Sequence, residues 1–338
     1  MPTTNLNDDF DNDALGGLMT SPADTAIARM RSPRDMQIIC VDITNRCNLS
    51  CSNCTRLLAN QDGLWDMTPE NFRKAVRSLR DFPGTLAIIG GNPTMHRDFE
   101  ALCEILVEEI PEKERRGLWT SHAYKHTDLA IEVFGVFNLN PHGDPKSVES
   151  LSDLYTRSEG VRNLYEGHSQ HAPLLAAIKD IYGEEEMWER IAACDVNQNW
   201  SASVTQVRGE LRAYFCEVAA AFDVARGTDN GHEVVEGWWR RPITDYADQI
   251  KHFCPGCGAA ARLAPTRDAD DLDTYTASNQ DLVERSLRRK RKVQLLDIEE
   301  ARTTASPITT YNPEYQKGRP VEHARAFAHR IRRLFVRT

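Results

Sequence analysis

The chain has 338 residues, 41% of them apolar and 27% charged, with a formal net charge of −9. That length and composition suit a folded chain with one large domain and a smaller one, and the acidic balance excludes a surface that binds nucleic acid or anionic membrane as a whole. With no long apolar span and no signal-peptide core, the expected address is a reducing cytoplasm, where nine cysteines serve as metal ligands and buried thiols rather than disulfides.

Residues 1–33 are polar, with Asp8, Asp9, Asp11 and Asp13 close together, and read as a mobile arm with room for a short helix at Thr25 to Met30. The apolar run Met36 to Thr44 then reads as a strand, and it delivers Cys47, Cys51 and Cys54 in C-x3-C-x2-C spacing on one tight loop. Three close thiolates can ligate three irons of a [4Fe–4S] cube and leave the fourth open. No fourth ligand is near: the next cysteine is Cys103 and the nearest downstream histidine is His96. Zinc is the alternative reading of any such cysteine set. Thr68 caps a helix that starts at Pro69 and carries Phe72, Ala75, Val76 and Leu79 at helical spacing, ending at Pro83-Gly84. Thr85 to Ile89 is a second strand, running into Gly90-Gly91-Asn92-Pro93-Thr94, where two glycines permit close backbone approach and Pro93 stiffens the exit.

These two motifs, in this order, resemble the radical S-adenosylmethionine (SAM) superfamily, whose signature is C-x3-C-x2-C after the first strand of a partial (β/α)6 TIM-type barrel and whose GGEPT loop meets the SAM amino group. The resemblance implies a [4Fe–4S] cluster on Cys47, Cys51 and Cys54, SAM on its open iron, and Gly90, Gly91, Asn92 and Pro93 beside that cofactor. Asn92 stands where the family has Glu, and Asn53 where it has an aromatic residue.

Strands and helices continue to alternate, as a parallel α/β sheet or barrel requires. Asp98 is placed to cap a helix bearing Phe99, Leu102, Cys103, Ile105, Leu106 and Ile110; Gly117 to His122 is a third strand, Thr127 to Phe134 a helix, and Gly135 to Asn140 a fourth strand ending at Pro141-His142-Gly143-Asp144. Cys40 and Cys103 fall in apolar stretches and read as core thiols. Reactive groups in such barrels gather at the carboxyl ends of strands, which selects Ser121, His122, Asn138, Asn140 and His142. In the resemblance Asn138 and Asn140 meet the SAM ribose or carboxylate; each reads equally well as a loop cap. Ser147 to Tyr155 is a helix, Pro173 to Tyr182 stands for a fifth strand-and-helix unit, and His168 and His171 read as a solvent-facing loop.

Cys194, Cys216, Cys254 and Cys257 form a second set. A hairpin, Trp200 to Thr205 and Leu211 to Cys216 about Gly209, brings in the first two, and Cys254-Pro255-Gly256-Cys257 is a rigid pair on a turn. Four thiolates close a zinc ion or an iron–sulfur cluster equally well. The order is similar to the twitch domain, the shortened SPASM extension of some radical SAM enzymes, and that resemblance implies one auxiliary [4Fe–4S] cluster. The expected organisation is an arm (1–33), a partial barrel (34–190), a twitch-like domain containing the β-hairpin (191–262) and a polar, basic helical C-terminal tail (263–338). In the tail, 285–292 is strongly basic and Val321 to Val336 is an amphipathic helix. The basic stretch reads as the solvated face of a helix that packs through Leu287 and Val293.

The resemblance implies an oxidoreductase that cleaves SAM reductively and oxidises a small polar molecule such as a sugar, cyclitol or nucleoside, with His122, His142 or Arg162 taking a proton and a flavodoxin- or ferredoxin-type donor supplying electrons. Two alternatives stand beside it: a radical SAM enzyme that modifies a peptide or nucleic acid, and a zinc-stabilised binding module without enzymatic activity.

Overall fold

A computed structural model describes residues 21–164, 170–288 and 290–308, with the backbone only of 161–164. Residues 1–20, His168 and the expected helix at 321–336 lie outside that description. In chain order the elements are α1 (Pro22–Ala28), β1 (Ile38–Asp42), α2 (Pro69–Ser78), β2 (Thr85–Ile89), α3 (Phe99–Glu109), β3 (Arg116–Thr120), α4 (Thr127–Val133), β4 (Val136–Leu139), α5 (Pro145–Arg157), β5 (Val161–Leu164), β6 (Gln170–His171), α6 (Ile178–Ile181), α7 (Glu184–Ala192), α8 (Asp195–Asn199), β7 (Ala202–Val207), β8 (Glu210–Tyr214), α9 (Glu217–Arg226), β9 (His232–Glu233), α10 (Ala247–Phe253), β10 (Thr266–Arg267), β11 (Leu272–Tyr275), α11 (Gln280–Arg288), β12 (Lys292–Leu295) and α12 (Ile298–Thr304).

The main sheet runs β5-β4-β3-β2-β1-β7-β8-β9. Strands β1 to β5 pair in parallel in sequence order, with Ile38 opposite Thr85, Leu86 opposite Arg116, Gly117 opposite Val136, and Val136 opposite Val161. The architecture is α/β with a partial barrel. A sixth parallel strand is supplied by the hairpin: β7 lies beside β1, Ile39 opposite Ala202, rather than beyond β5. Its partner β8 returns antiparallel through a two-residue turn in which Arg208 and Gly209 both have positive φ, the conformation that suits a hairpin's twist. The hairpin is therefore continuous with the barrel sheet.

Apolar residues in β1 (Ile39, Cys40, Val41) and β2 (Leu86, Ala87, Ile88) are fully or almost fully buried on both faces, as helix-covered parallel strands require. The Thr68 hydroxyl accepts from Asn71 N at 3.2 Å and Pro69 opens α2, which buries Phe72, Ala75 and Val76. Burial of Phe72 alone contributes about 2–3 kcal/mol. Helix α3 buries Phe99, Leu102, Cys103, Ile105 and Leu106, but the Asp98 side chain does not cap it; Asp98 N donates instead to His96 Nδ1 at 3.0 Å. Residues 22–28, expected within the arm, form a helix that Ser21 caps and that buries Ala23, Ala26 and Ile27.

The fifth strand also differs from expectation. It is Val161–Leu164, and the apolar stretch 173–182 holds only the short α6. Four residues with polar Arg162 and Asn163 in the middle carry too little hydrophobic period to announce a strand. In the C-terminal part α11 packs through Leu282, Val283 and Ser286, while Leu287, expected to anchor it, is half exposed and Val293 is partly buried.

Glu109, at the end of α3, is buried and pairs with Arg73, Arg77 and Arg80 from α2 and the residues after it. Burial, which would raise its pKa, is outweighed by those three guanidinium groups, so the carboxyl sits below its ordinary range. A depressed carboxyl contributes stability above its unfolded pKa and loses it as pH falls through the folded one. Glu109→Gln is expected to cost about 1.5–3 kcal/mol at neutral pH, measured by denaturant unfolding, with the difference from the parent shrinking below the usual carboxylate range.

Candidate metal centre and cofactor site

Between Asn45 and Arg56 the chain has no helix or strand, so neighbouring segments set its shape. The approach to the cysteines is fixed first. Thr44 Oγ1 donates to Asp66 Oδ1 at 2.7 Å and Arg46 Nε pairs with Asp66 at 2.9 Å. The glycine loop is stitched to the same stretch, Gly91 N donating to Thr44 O at 2.8 Å and Asn92 N to Arg46 O at 2.6 Å. A Cβ at Gly90 would stand 2.3 Å from Thr44 O, and one at Gly91 2.3 Å from Arg46 O. The glycines thus permit contact with the main chain of the cysteine loop itself.

Asn92 is fully buried and its amide is fully employed. It donates to Asn48 Oδ1 at 3.1 Å and His122 O at 3.2 Å and accepts from Thr120 Oγ1 at 2.6 Å and Thr94 Oγ1 at 3.2 Å. Asn48, inside the cysteine motif, also accepts from Ser121 Oγ at 3.1 Å and donates to Ser147 Oγ at 3.3 Å. One network therefore joins the cysteine loop to the ends of β2 and β3 and the start of α5.

The other side of the loop is held by the C-terminal segment, whose charges the sequence presents as a tail. Ser52 N donates to Asp268 O at 3.1 Å, Asn53 N to Asp273 Oδ1 at 2.9 Å, and Thr274 N to Asn53 Oδ1 at 2.9 Å. Asn53 has φ 47°, a left-handed conformation that Asn tolerates better than an aromatic residue does. Buried Arg291 donates to Cys51 O and pairs with Asp273, both at 2.9 Å. Burial, which opposes its charge, is outweighed by Asp273 and Asp271, so its pKa is raised.

Cys47, Cys51 and Cys54 sit half-buried on this loop. Burial pushes all three thiols up, Cys47 to about 12, and the charge of Cys54 opposes ionisation of both others. In the second set Cys194 and Cys216 immediately precede α8 and α9, and Cys254 and Cys257 flank the turn after α10. Burial raises these thiols too, Cys216 to about 12, and the charge of Cys194 opposes ionisation of each of the other three. The fold thus gathers three thiols in one place and four in another, in sets that are stable together as thiolates when they share a cation. That donor chemistry fits iron–sulfur or zinc. All nine cysteines are free, with Cys40 and Cys103 in the core as expected.

The other candidates divide. His122 stacks on Tyr124 at 3.9 Å and its Nδ1 accepts from Tyr124 N at 2.9 Å; burial lowers its pKa. Asn138 is buried on β4, and Asn140 serves as a loop cap, its Oδ1 accepting from His142 N at 3.1 Å. Pro93 is buried behind the glycine loop. Arg162 lies on β5 opposite Phe137, its side chain outside the description. His171 is not a solvent-facing loop residue: it pairs with Thr266 in the β6–β10 ladder, and its Nδ1 lies 2.6 Å from Asp268 Oδ1. His142 Nδ1 lies 2.8 Å from Asp268 Oδ2, the two imidazoles being 5.1 Å apart. Burial, which would raise the Asp268 pKa, is outweighed by these two histidines, and the carboxyl stays below its ordinary range. Among the described residues, Cys51, His142 and Asp268 bring their ligand atoms within 4.8 Å of one another. Asp268 was missed because nothing in the acidic run 268–273 marks one carboxylate as buried. A cavity of about 570 Å³ lies at the opposite end, lined by Arg80, Phe82, Glu109 and Arg115 ahead of β2 and β3.

Residues 41–140 match the family model described as the Radical SAM superfamily. Among solved structures the chain is similar to BtrN in complex with AdoMet and 2-DOIA, at 16% identity and TM-score 0.45, covering 66% of this chain and 92% of that one. It is similar also to Streptococcus suis SuiB bound to S-adenosylmethionine, at 12% identity and TM-score 0.29, covering 69% and 73%. No curated protein matches the chain. No helix among the described residues is long and apolar enough to cross a membrane.

The contact between the two motif loops yields a direct test. Gly91→Ala forces a methyl group against Arg46 O and is expected to destabilise the protein by about 1–3 kcal/mol. Limited proteolysis should show cleavage within residues 44–58 that the parent resists.

Proposed function

From the match of residues 41–140 to the radical SAM superfamily, we propose that this chain is an oxidoreductase that cleaves SAM reductively and oxidises a small polar molecule, a sugar, cyclitol or nucleoside. Cys47, Cys51 and Cys54 would hold the cluster that binds SAM, and Cys194, Cys216, Cys254 and Cys257 an auxiliary [4Fe–4S] cluster. The observation that carries the reading is the division of seven thiols into an open set of three and a closed set of four.

When bound, the first cluster would supply reductive cleavage of SAM and with it hydrogen-atom abstraction from the substrate, and the second would supply a one-electron acceptor for oxidation of an alcohol to a carbonyl. The chain's own residues orient and shield that chemistry. Asn92 locks the glycine loop to Asn48, and Gly90, Gly91, Pro93 and Asn138 are the residues that would meet SAM. The hydroxyl proton goes to His142. Ionised Asp268 can only accept hydrogen bonds, so His142 Nδ1 donates to it and Nε2 is left as the acceptor. His122 Nδ1 already takes the Tyr124 amide. A flavodoxin- or ferredoxin-type protein would supply electrons. BtrN and SuiB were solved with different molecules, 2-DOIA and the precursor peptide SuiA; the acidic surface of this chain supports a small substrate over nucleic acid.

Anaerobically prepared parent is expected to carry about eight irons and eight sulfides and to release 5′-deoxyadenosine with dithionite. Cys51→Ser should lose about half the iron and all deoxyadenosine, Cys254→Ser about half the iron but not SAM cleavage. His142→Gln should still form deoxyadenosine while product falls at least tenfold. Zinc without labile sulfide in the parent would overturn the assignment.

A further inference from the structure

Two residues after Cys54, the chain buries a cation. Arg56 is 6% exposed at its side chain, and its guanidinium lies 3.3 Å from Asp42 on β1 and 3.2 Å from Glu217, the residue after Cys216. Both carboxylates have further partners: Ser203 Oγ donates to Asp42 at 2.9 Å and Ser201 Oγ to Glu217 at 2.6 Å. The Ser201 hydroxyl also meets Cys40 Sγ at 3.1 Å. Burial, which opposes the charge on Arg56, is outweighed by Glu217 and Asp42.

The ends of this bridge reach the two thiol sets. The Arg56 amide donates toward the Cys54 sulfur, and its charge favours the thiolate there. Glu217 directly follows Cys216, at the first position of α9. A buried ion pair is seldom retained for stability, because desolvation of two ions offsets most of their attraction. Two carboxylates share one guanidinium here, in a place where solvent screens charge little.

We propose that Arg56 and Glu217 are positioning residues that link the two clusters: Glu217 is the charge that sets the reduction potential of the auxiliary cluster, and Arg56 pins that charge at a fixed distance from the SAM-binding cluster. This rests on the two-cluster reading above. Reduction adds an electron to an anionic cluster, so a carboxylate beside Cys216 makes that step harder and holds the potential low. Glu217 touches neither SAM nor substrate in this account.

The test is an EPR-monitored redox titration of anaerobically reconstituted full-length protein, with iron counted first. Glu217→Gln is expected to raise the midpoint potential of the auxiliary cluster and to lower product formed per deoxyadenosine several-fold, whereas Glu217→Asp, which keeps the charge, should leave the potential near the parent's. Ser201→Ala removes a hydrogen bond that disperses the Glu217 charge, and is expected to lower the same potential, so it serves if the glutamine variant does not fold. Full iron content with an unchanged auxiliary potential in Ser201→Ala and in any folded Glu217→Gln would overturn the proposal. A parent with only about four irons would instead sink the two-cluster reading.

Discussion

The cysteine loop cannot hold its own shape. A segment without helix or strand must have its amides and carbonyls satisfied from outside, and here the partners come from both directions along the chain. The glycine loop binds the main chain of residues 44–46 on one side, and residues 267–274 with Arg291 bind residues 50–53 on the other. The three thiols are therefore placed by contacts spanning more than two hundred residues of sequence, as with Ser52 and Leu272. A site that must present several sulfurs in fixed geometry gains from such bracing, since each ordered contact lowers the entropy the ligand would otherwise have to remove.

The bracing is electrostatic as much as geometric. Asp268, Asp271, Asp273 and Arg291 occupy a run of sequence that looks like ordinary solvated charge, yet Asp268, Asp273 and Arg291 are buried. Each carboxylate has partners close by: Arg291 for Asp273 and Asp271, and the imidazoles of His142 and His171 for Asp268. Removing Arg291 would leave the buried Asp273 carboxylate without its guanidinium, at a cost of about 3–5 kcal/mol. That penalty makes docking of the C-terminal segment and ordering of the cysteine loop a single event. The expected separation of barrel and tail gives way at this point to shared structure.

The first four strands, the Thr68 cap and the hairpin were legible because they rest on local pattern: period-2 and period-3.6 burial, Thr68-Pro69, and a glycine turn at Gly209. The two sets of cysteines were legible because spacing limits which metals they suit. What was not legible depends on pairing between distant residues. Nothing in Ala202 to Val207 says that it will lie beside Ile39 rather than at the far edge, and nothing in Asp268 distinguishes it from Asp270. The strand at 161–164 escaped because four residues carry little period, and the surplus of apolar residues at 174–182 belongs to the packing around α6 and the Cys254 turn.

The two departures from the family pattern find their reason in the same contacts. At position 92 the side chain meets two acceptors, His122 O and Asn48 Oδ1, and two hydroxyl donors, Thr120 and Thr94. An amide satisfies all four, because it donates through nitrogen and accepts through oxygen. An ionised glutamate in the same setting would accept from the threonines but face the His122 carbonyl with no proton to offer. Asn53 follows a parallel logic. Its left-handed backbone aims a short amide oxygen at Thr274 N, a bond that an aromatic side chain could not make and without which β11 would lose its hold on the cysteine loop. Each asparagine thus makes contacts that fix the cysteine loop.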